Sequence, residues 1–152
     1  MKKLVSAFLC IVMFFSILPV SVFAEESKEI LLSQTTEVLD NGDFVVTELY
    51  QSAIQSYAST KAGHKTSTYY TASGKAMWAV TVNATFTYTY GALCHATSAE
   101  SIVSIYDSGV SFISKNAYML GATATAVCSV QYGHSVSNGS VSITCDIYGN
   151  LS

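Results

Sequence analysis

The segment from Ala76 to Tyr90 alternates along its whole length, and this pattern constrains the fold more than any other part of the sequence. One face carries Trp78, Val80, Val82, Ala84, Phe86, Tyr88 and Tyr90, and the other carries Met77, Ala79, Thr81, Asn83, Thr85, Thr87 and Thr89. Successive side chains of a β-strand point to opposite faces of the sheet, so the pattern predicts a strand with one buried face. The segment is longer than most strands, and we expect a bend or bulge near Asn83 and Ala84.

Further strand patterns follow on both sides of this segment. Thr35 to Tyr50 predicts a hairpin, with Asn41-Gly42 supplying the positive φ values of a tight turn. Ala122 to Tyr132 alternates as well, and the last predicted strand buries Val141, Ile143, Cys145 and Ile147. About seven to nine short strands without a long helical stripe predict an all-β chain. We expect a single antiparallel β-sandwich, with an immunoglobulin-like sandwich or a small barrel as variants.

The N-terminus has the three parts of a secretory signal peptide. Lys2 and Lys3 are followed by an apolar run and then by Val22-Phe23-Ala24, a small-residue cleavage pattern. We therefore expect a signal peptide over 1–24, a flexible leader over 25–34 and the β-sandwich domain over 35–152. No later apolar stretch is long enough to span a bilayer. The predicted location is secreted and extracellular, without a stable membrane span after cleavage.

The charge of the mature part argues against nucleic acid as a partner. Five lysines, no arginine and ten acids remain after residue 24. Binding to nucleic acid needs a basic surface that neutralises phosphates, and docking on anionic lipid needs one too. We expect an unknown extracellular or cell-surface macromolecule as the partner instead.

No residue pattern in the chain is specific for catalysis, a cofactor or a metal. His64, His95 and His134 do not occur at metal-ligand spacing with the cysteines, and adjacent Cys94 and His95 would point to opposite faces of a strand. The serines lack a Gly-x-Ser-x-Gly elbow. We therefore predict no catalytic, cofactor-binding or metal site, and a protein that is not an enzyme.

The aromatic residues are the candidates for a binding surface. Trp78 shares its face with Val80 and Val82, which predicts a core position. Tyrosine beside Ser, Thr and Asn is typical of adaptable binding surfaces. The candidate surface consists of Tyr57, Tyr69, Tyr70 and Tyr132. Tyr69 and Tyr70 are adjacent, so one of them should face outward.

Two stretches resemble a group of small, functionally uncharacterised secreted β-rich proteins of Gram-positive bacteria. They are Ser73 to Val82 (SGKAMWAVTV) with Ala84 to Tyr88 (ATFTY), and the ending from Thr144 to Ser152. The hairpin at Leu39 to Gly42 is also similar, so the likeness runs from about Thr35 to the end. The resemblance implies secretion and a β-rich fold, but no activity.

Three cysteines of the mature part allow three disulfide pairings, since export supplies an oxidising route. The resemblance implies a bond between Cys94 and Cys145, which leaves Cys128 as a free thiol. Cys128 and Cys145 lie on the apolar faces of neighbouring predicted strands, so a bond between those two stays open.

Composition, motifs and cysteines together favour a secreted, non-enzymatic binding or surface-interaction protein of unknown ligand. A secreted β-hairpin pore-forming toxin or bacteriocin-like protein is one alternative, because alternating Thr and apolar residues suit a barrel hairpin. An inhibitor of an extracellular hydrolase is another.

Overall fold

The computed structural model describes residues 29–53 and 59–152, and every regular element in that part of the chain is a β-strand. The eight strands are β1 (Glu29–Val38), β2 (Phe44–Ser52), β3 (Thr60–Tyr70), β4 (Ala76–Thr89), β5 (Leu93–Ile105), β6 (Val110–Leu120), β7 (Thr123–Tyr132) and β8 (Ser135–Thr144). The predicted all-β class is therefore confirmed. The predicted signal peptide and Tyr57 lie outside the described residues.

The strands form two antiparallel sheets that follow the chain order. One sheet has the order β1-β2-β3-β4-β5 and the other has the order β6-β7-β8. Each strand pairs with the strand that precedes or follows it in the sequence. Short turns over 39–43, 71–75, 90–92, 121–122 and 133–134 connect paired strands, as antiparallel neighbours allow.

Strand β4 has the buried face that its alternation predicts. Trp78, Val80, Val82, Ala84 and Phe86 are all buried. Met77 and Ala79 on the opposite face are buried as well, because the connection from β5 to β6 crosses there and two of its amides donate to the Met77 carbonyl. The expected irregularity lies two residues beyond the predicted place, where the register to β5 shifts between Thr85 and Phe86.

A single buried cluster contains residues of both sheets. Strand β4 contributes Trp78, Val80, Val82 and Phe86, β7 contributes Ala124, Ala126 and Val130, and β8 contributes Val141 and Ile143. Protein interiors are close-packed, so the large rings of Trp78 and Phe86 need space in the facing sheet. Two alanines of β7, Ala124 and Ala126, are fully buried in the same cluster.

Two predicted boundaries differ from the structure. The ordered strand β1 begins at Glu29, so the predicted domain start at Thr35 falls inside a strand, and residues 29–34 of the predicted leader pair with β2. At the other end, β8 ends at Thr144 and Ile147 lies in a following turn, partly exposed. The Asp146 carboxylate makes this turn by accepting hydrogen bonds from the Tyr148 and Asn150 amides.

Candidate functional site

Three of the four candidate tyrosines line one cleft. Tyr69, Tyr70 and Tyr132 surround a space of about 350 Å³ together with Trp78, Asn41 and Asp43. Ligand pockets commonly have volumes of about 300–1,000 Å³ and aromatic linings with a few polar groups. We call this space the aromatic cleft.

Strand β3 delivers two of the rings from its last two residues. Tyr69 stacks on Trp78 with ring centroids 3.8 Å apart, and Tyr70 stacks on Phe44 with centroids 4.9 Å apart. The two tyrosines thus use opposite sides of the strand, as adjacent residues must. The cleft lies at the end of β3 and touches both rings.

Trp78 forms the floor of the cleft and is only 5% exposed. A glycine of the opposite sheet makes room for it, because a Cβ atom on Gly139 would lie 2.5 Å from the Trp78 ring. Burial raises the pKa of the Tyr69 phenol above its ordinary value, and the nearby Cys128 and Glu37 raise it further. Tyr69 therefore stays protonated at neutral pH and keeps a hydroxyl that can donate.

The turn between β1 and β2 supplies polar groups that are already fixed. Asn41 Nδ2 donates to Asp43 Oδ2 at 2.7 Å, and the Ala72 amide donates to Asp43 Oδ1 at 2.9 Å. The expected Asn-Gly turn is partly wrong, because only Gly42 has a positive φ, of 85°. The chain instead uses a longer turn closed between Leu39 and Asp43, whose side-chain bonds hold both polar groups at the cleft.

Tyr132 forms the opposite wall beside an ion pair. It is 54% exposed, and its ring lies close to Gly109, where a Cβ atom would be 3.1 Å away. Lys75 and Asp107 form an ion pair next to it. The hydrogen bond from Lys75, together with the Gly109 amide, lowers the pKa of Asp107. This pair joins the β3–β4 turn to the connection between the two sheets.

Strand β8 closes the cleft with Ser137 and Asn138. The Asn138 side-chain oxygen accepts a hydrogen bond from the Ser129 hydroxyl at 2.6 Å. That bond holds the Asn138 side chain beside Ser129, on the face of the three-stranded sheet that points away from the core. The cleft thus combines aromatic rings with polar groups of the turn between β1 and β2.

The cysteines lie in two places. The Cys94 and Cys145 thiols are in contact, and the pKa of Cys145 is raised to about 12, first by burial and next by its hydrogen bond with Cys94. All three cysteines of the described chain are buried thiols. Cys128 pairs in register with Gly139, six residues from Cys145 along β8. That is about 20 Å, which excludes the Cys128–Cys145 alternative because bonded cysteines need Cα atoms within about 7 Å.

A second depression of about 450 Å³ lies on the five-stranded sheet beside Glu29, His64 and Glu100. His64 Nδ1 lies 3.3 Å from a Glu29 carboxylate oxygen, and its ring stacks on Tyr50. Among the described residues no group of three or more His, Cys, Asp or Glu side chains is placed to hold a metal ion. The hydroxyl-bearing residues Ser52, Thr85 and Ser98 also line the depression.

Sequence reasoning named the rings of the aromatic cleft but missed its polar groups. Asn41 was predicted only as a turn residue, and Asp43 and Asn138 were not among the predicted site residues. The signal that could have found them is the Asn-Gly-Asp turn, which must lie at the same end of the sheet as Tyr69 and Tyr70 once β2 pairs with β3. Asn138 lies on the other sheet, and no local pattern places it there.

No protein-family model, curated protein or solved structure matches this chain. Across residues 29–53 and 59–152, no helix of sufficient length and hydrophobicity to cross a membrane is found.

Proposed function

We propose that this chain is a secreted, non-enzymatic binding protein with a β-sandwich fold, and that its ligand site is the aromatic cleft. The observation that carries the proposal is the convergence of Tyr69, Tyr70 and Tyr132 on one space above Trp78. These tyrosines come from strands of both sheets, and a cleft that collects them suits contact with an extracellular macromolecule.

The lining favours binding because its groups are rigid before a ligand arrives. The Tyr69 ring is held by Trp78, and the Asp43 carboxylate is held by Asn41 and Ala72. Groups fixed in advance lose little conformational freedom when they bind. Tyrosine combined with Ser and Asn also gives large contact area with adaptable hydrogen bonding.

The same bonds favour positioning over proton transfer. Both oxygens of Asp43 accept hydrogen bonds from the chain, and the Asp107 carboxylate is engaged by Lys75 and Gly109. A general acid or base needs free access to the proton that it moves. These two carboxylates act as braces for turns, which supports a non-enzymatic role.

The outward face of β7 favours this proposal over a membrane-inserting toxin. Thr123, Thr125, Ser129 and Gln131 alternate with the buried residues, and the hydroxyls of Thr123 and Thr125 pair with Thr144 and Ser142 on β8. A membrane barrel needs an apolar band on its outer face. This hydroxyl-rich face suits water.

Secretion and the disulfide belong to the same proposal. We propose that residues 1–24 direct export and are removed, and that Cys94 and Cys145 then join in the oxidising environment outside the cell. The contact between these two thiols supports that pairing. Cys128 then stays a buried thiol.

The test is retention of the purified mature protein on beads that carry bacterial cell-wall material or host glycans. Tyr132→Ala should weaken retention by at least about tenfold, because an exposed ring of the cleft is lost. Tyr90→Ala is the matched control, since Tyr90 is 77% exposed and packs against Tyr148, away from the cleft. Equal retention of both variants, or turnover of a glycan, peptide or ester substrate, would overturn the proposal.

A further inference from the structure

We infer that the partner is an extended polypeptide segment, which adds as a strand to the free edge of β8 and places a side chain in the aromatic cleft. This inference rests on the proposed binding role and names the class of partner. It starts from the hydrogen bonds of β8 itself.

The outer edge of β8 is paired at one end and open along the rest. The Thr144 amide donates to the Ser152 carbonyl, and the Ser152 amide donates to the Thr144 carbonyl, both at 2.9 Å. In the described chain, no other backbone hydrogen bond joins this edge to a segment outside the sheet between Val136 and Ser142. The C-terminal residues thus already act as a short added strand.

The parity of these bonds identifies the open groups. Residues of an antiparallel strand direct their amide and carbonyl to one side and then the other in turn. Because Thr144 directs both groups to the outer edge and the β7–β8 register has no shift, Ser142, Ser140, Asn138 and Val136 do so as well. The open stretch can pair with a partner strand of about seven residues.

This edge lacks the charges that protect the other edges. Strand β1 carries Glu29 and Glu37, β5 carries Glu100 and β6 carries Lys115, whereas β8 carries no charged residue. Charged side chains on an edge strand oppose pairing with another chain. An edge without them is suited to strand addition.

The aromatic cleft lies beside the open part of the same edge. Ser137 and Asn138 line the cleft, and Gly139 lies over Trp78. At the paired end, Leu151 shows where the side chain of an added strand goes, because it is buried against Gly63 of the five-stranded sheet. A partner residue opposite Gly139 or Ser137 has the corresponding position over the cleft, because these two residues share the inward face of β8 with Cys145, which bridges to Leu151. That position suits a large apolar or aromatic side chain.

The longer sheet favours a single peptide over a second copy of this chain. Strand β8 contacts β3 and β4, and β1, which is exposed along its whole length, extends past it. Two copies joined in antiparallel fashion through β8 would each bring this overhang to the same side, and the overhangs would collide. A single strand fits above β2 without such a clash.

The probe is a panel of lysine-flanked peptides of about ten residues, with alternating Thr and Val and one Tyr or Leu guest. Binding is followed by the fluorescence of Trp78, the chain's one tryptophan. Ser140→Pro should weaken binding by at least about tenfold, because it removes an edge amide that the fold itself does not use. Ser140→Ala keeps that amide and should bind like the wild type.

A second measurement does not depend on a variant. N-methylation of successive peptide amides should abolish binding at alternate positions, and bound peptide should protect the amides of Asn138, Ser140 and Ser142 from hydrogen exchange. Absence of binding by every peptide at about 1 mM, or equal sensitivity at all positions, would overturn the inference. So would self-association that Ser140→Pro abolishes, since the occupant would then be a second copy.

The outcomes separate this inference from the proposed function. Retention on wall or glycan beads that requires Tyr132, without any peptide binding, overturns the strand addition and leaves the cleft as a binding site. Peptide binding that requires the Ser140 amide but not Tyr132 supports strand addition and overturns the role of the cleft.

Discussion

The two ends of β4 face the same core, but the β8 edge beside them is paired at one end and open at the other. At the thiol end, defined by Cys94, Cys145 and Leu151, Phe86 is fully buried and the C-terminal residues pair with β8. At the aromatic end, defined by Tyr69, Trp78 and Tyr132, the same β8 edge is open and lies beside a cleft. One strand edge is thus closed by the chain itself at one end and left available at the other.

The two ends also differ in what lies against a glycine. Gly63 leaves room for Leu151, because a Cβ atom there would lie 2.7 Å from the Leu151 side chain, and Gly139 leaves room for Trp78. At the thiol end the space is filled by a residue that completes the core. At the aromatic end it is filled by a residue that also forms the floor of the cleft. The comparison teaches that core residues also line the proposed binding site at one end only.

Truncation of the two large aromatic residues of β4 should break the comparison most strongly. Trp78→Ala and Phe86→Ala should each lower the free energy of unfolding by about 3–5 kcal/mol, since each leaves a cavity in the core. Urea unfolding followed by circular dichroism measures this loss. Only Trp78→Ala should also abolish ligand retention under conditions where both variants are folded. Equal loss of retention would mean that the cleft is not a separate site.

The disulfide should stabilise the thiol end by a comparable amount. A bond between Cys94 and Cys145 closes a loop of about 50 residues, for which the entropic model gives roughly 4 kcal/mol. Reductant should lower the unfolding free energy of secreted protein and of Cys128→Ser, but leave Cys94→Ser unchanged. Peptide mapping without reduction identifies the bond directly. A bridged peptide that contains Cys128 would contradict the prediction.

Adding a methyl group at each of the two glycines should lower the free energy of unfolding by a smaller amount. The two variants should differ in their Trp78 fluorescence. Gly139→Ala and Gly63→Ala should each cost about 1–3 kcal/mol, because both force a shift in a packed region. Trp78 fluorescence should change in Gly139→Ala and stay as in wild type in Gly63→Ala. A similar spectrum for both variants would show that Gly139 does not set the position of Trp78.

Removing one carboxylate charge at each end should change the stability of the fold least of all. The two ends should differ in how this change depends on salt. Asp107 near the aromatic end is held by Lys75, and Asp146 at the thiol end is held by Asn150 and neighbouring amides, so the pKa of each is lowered. Each carboxylate therefore stabilises the fold fully above the unfolded pKa of about 3.9, and this contribution is lost as pH falls through the folded pKa.

Melting curves at low pH, with Asp107→Asn and Asp146→Asn, test this pair. Added salt should reduce the effect of Asp107→Asn, because salt screens an ion pair with an exposed Lys75. The effect of Asp146→Asn should change little with salt, since its partners are amides. If salt instead reduced the effect of Asp146→Asn and left that of Asp107→Asn unchanged, the assignment of an ion pair to Asp107 and of amide hydrogen bonds to Asp146 would be wrong.

The sequence predicted the fold well for strands that have one buried face and one exposed face. The alternation of β4 predicted five buried residues from Trp78 to Phe86, and that of β7 predicted Ala124 to Val130, because a half-buried strand must repeat every two residues. Strand β1 was predicted to start too late, because it is exposed on both faces and has no such period.

The residues of the candidate site were predicted only in part, because local patterns do not record how the two sheets meet. Tyr69, Tyr70 and Tyr132 were named from residue type, but their convergence depends on how β3 and β7 meet across two sheets, which no local pattern records. Asn138 and the Lys75–Asp107 pair depend on the same long-range arrangement. The sequence did not predict the free edge of β8, because that edge is defined by the order of strands in the sheet.

The strict chain order of both sheets has a consequence for how the protein reaches its native state. Because each strand pairs only with its sequence neighbour, each sheet can grow hairpin by hairpin over short loops, which is the fast kind of event. Contacts such as Trp78 with Gly139 join segments far apart in the chain and must form later. Residues 29–105 and 110–144 should therefore behave as two kinetic units, whose docking limits the folding rate and which hydrogen exchange can resolve as separate cooperative blocks.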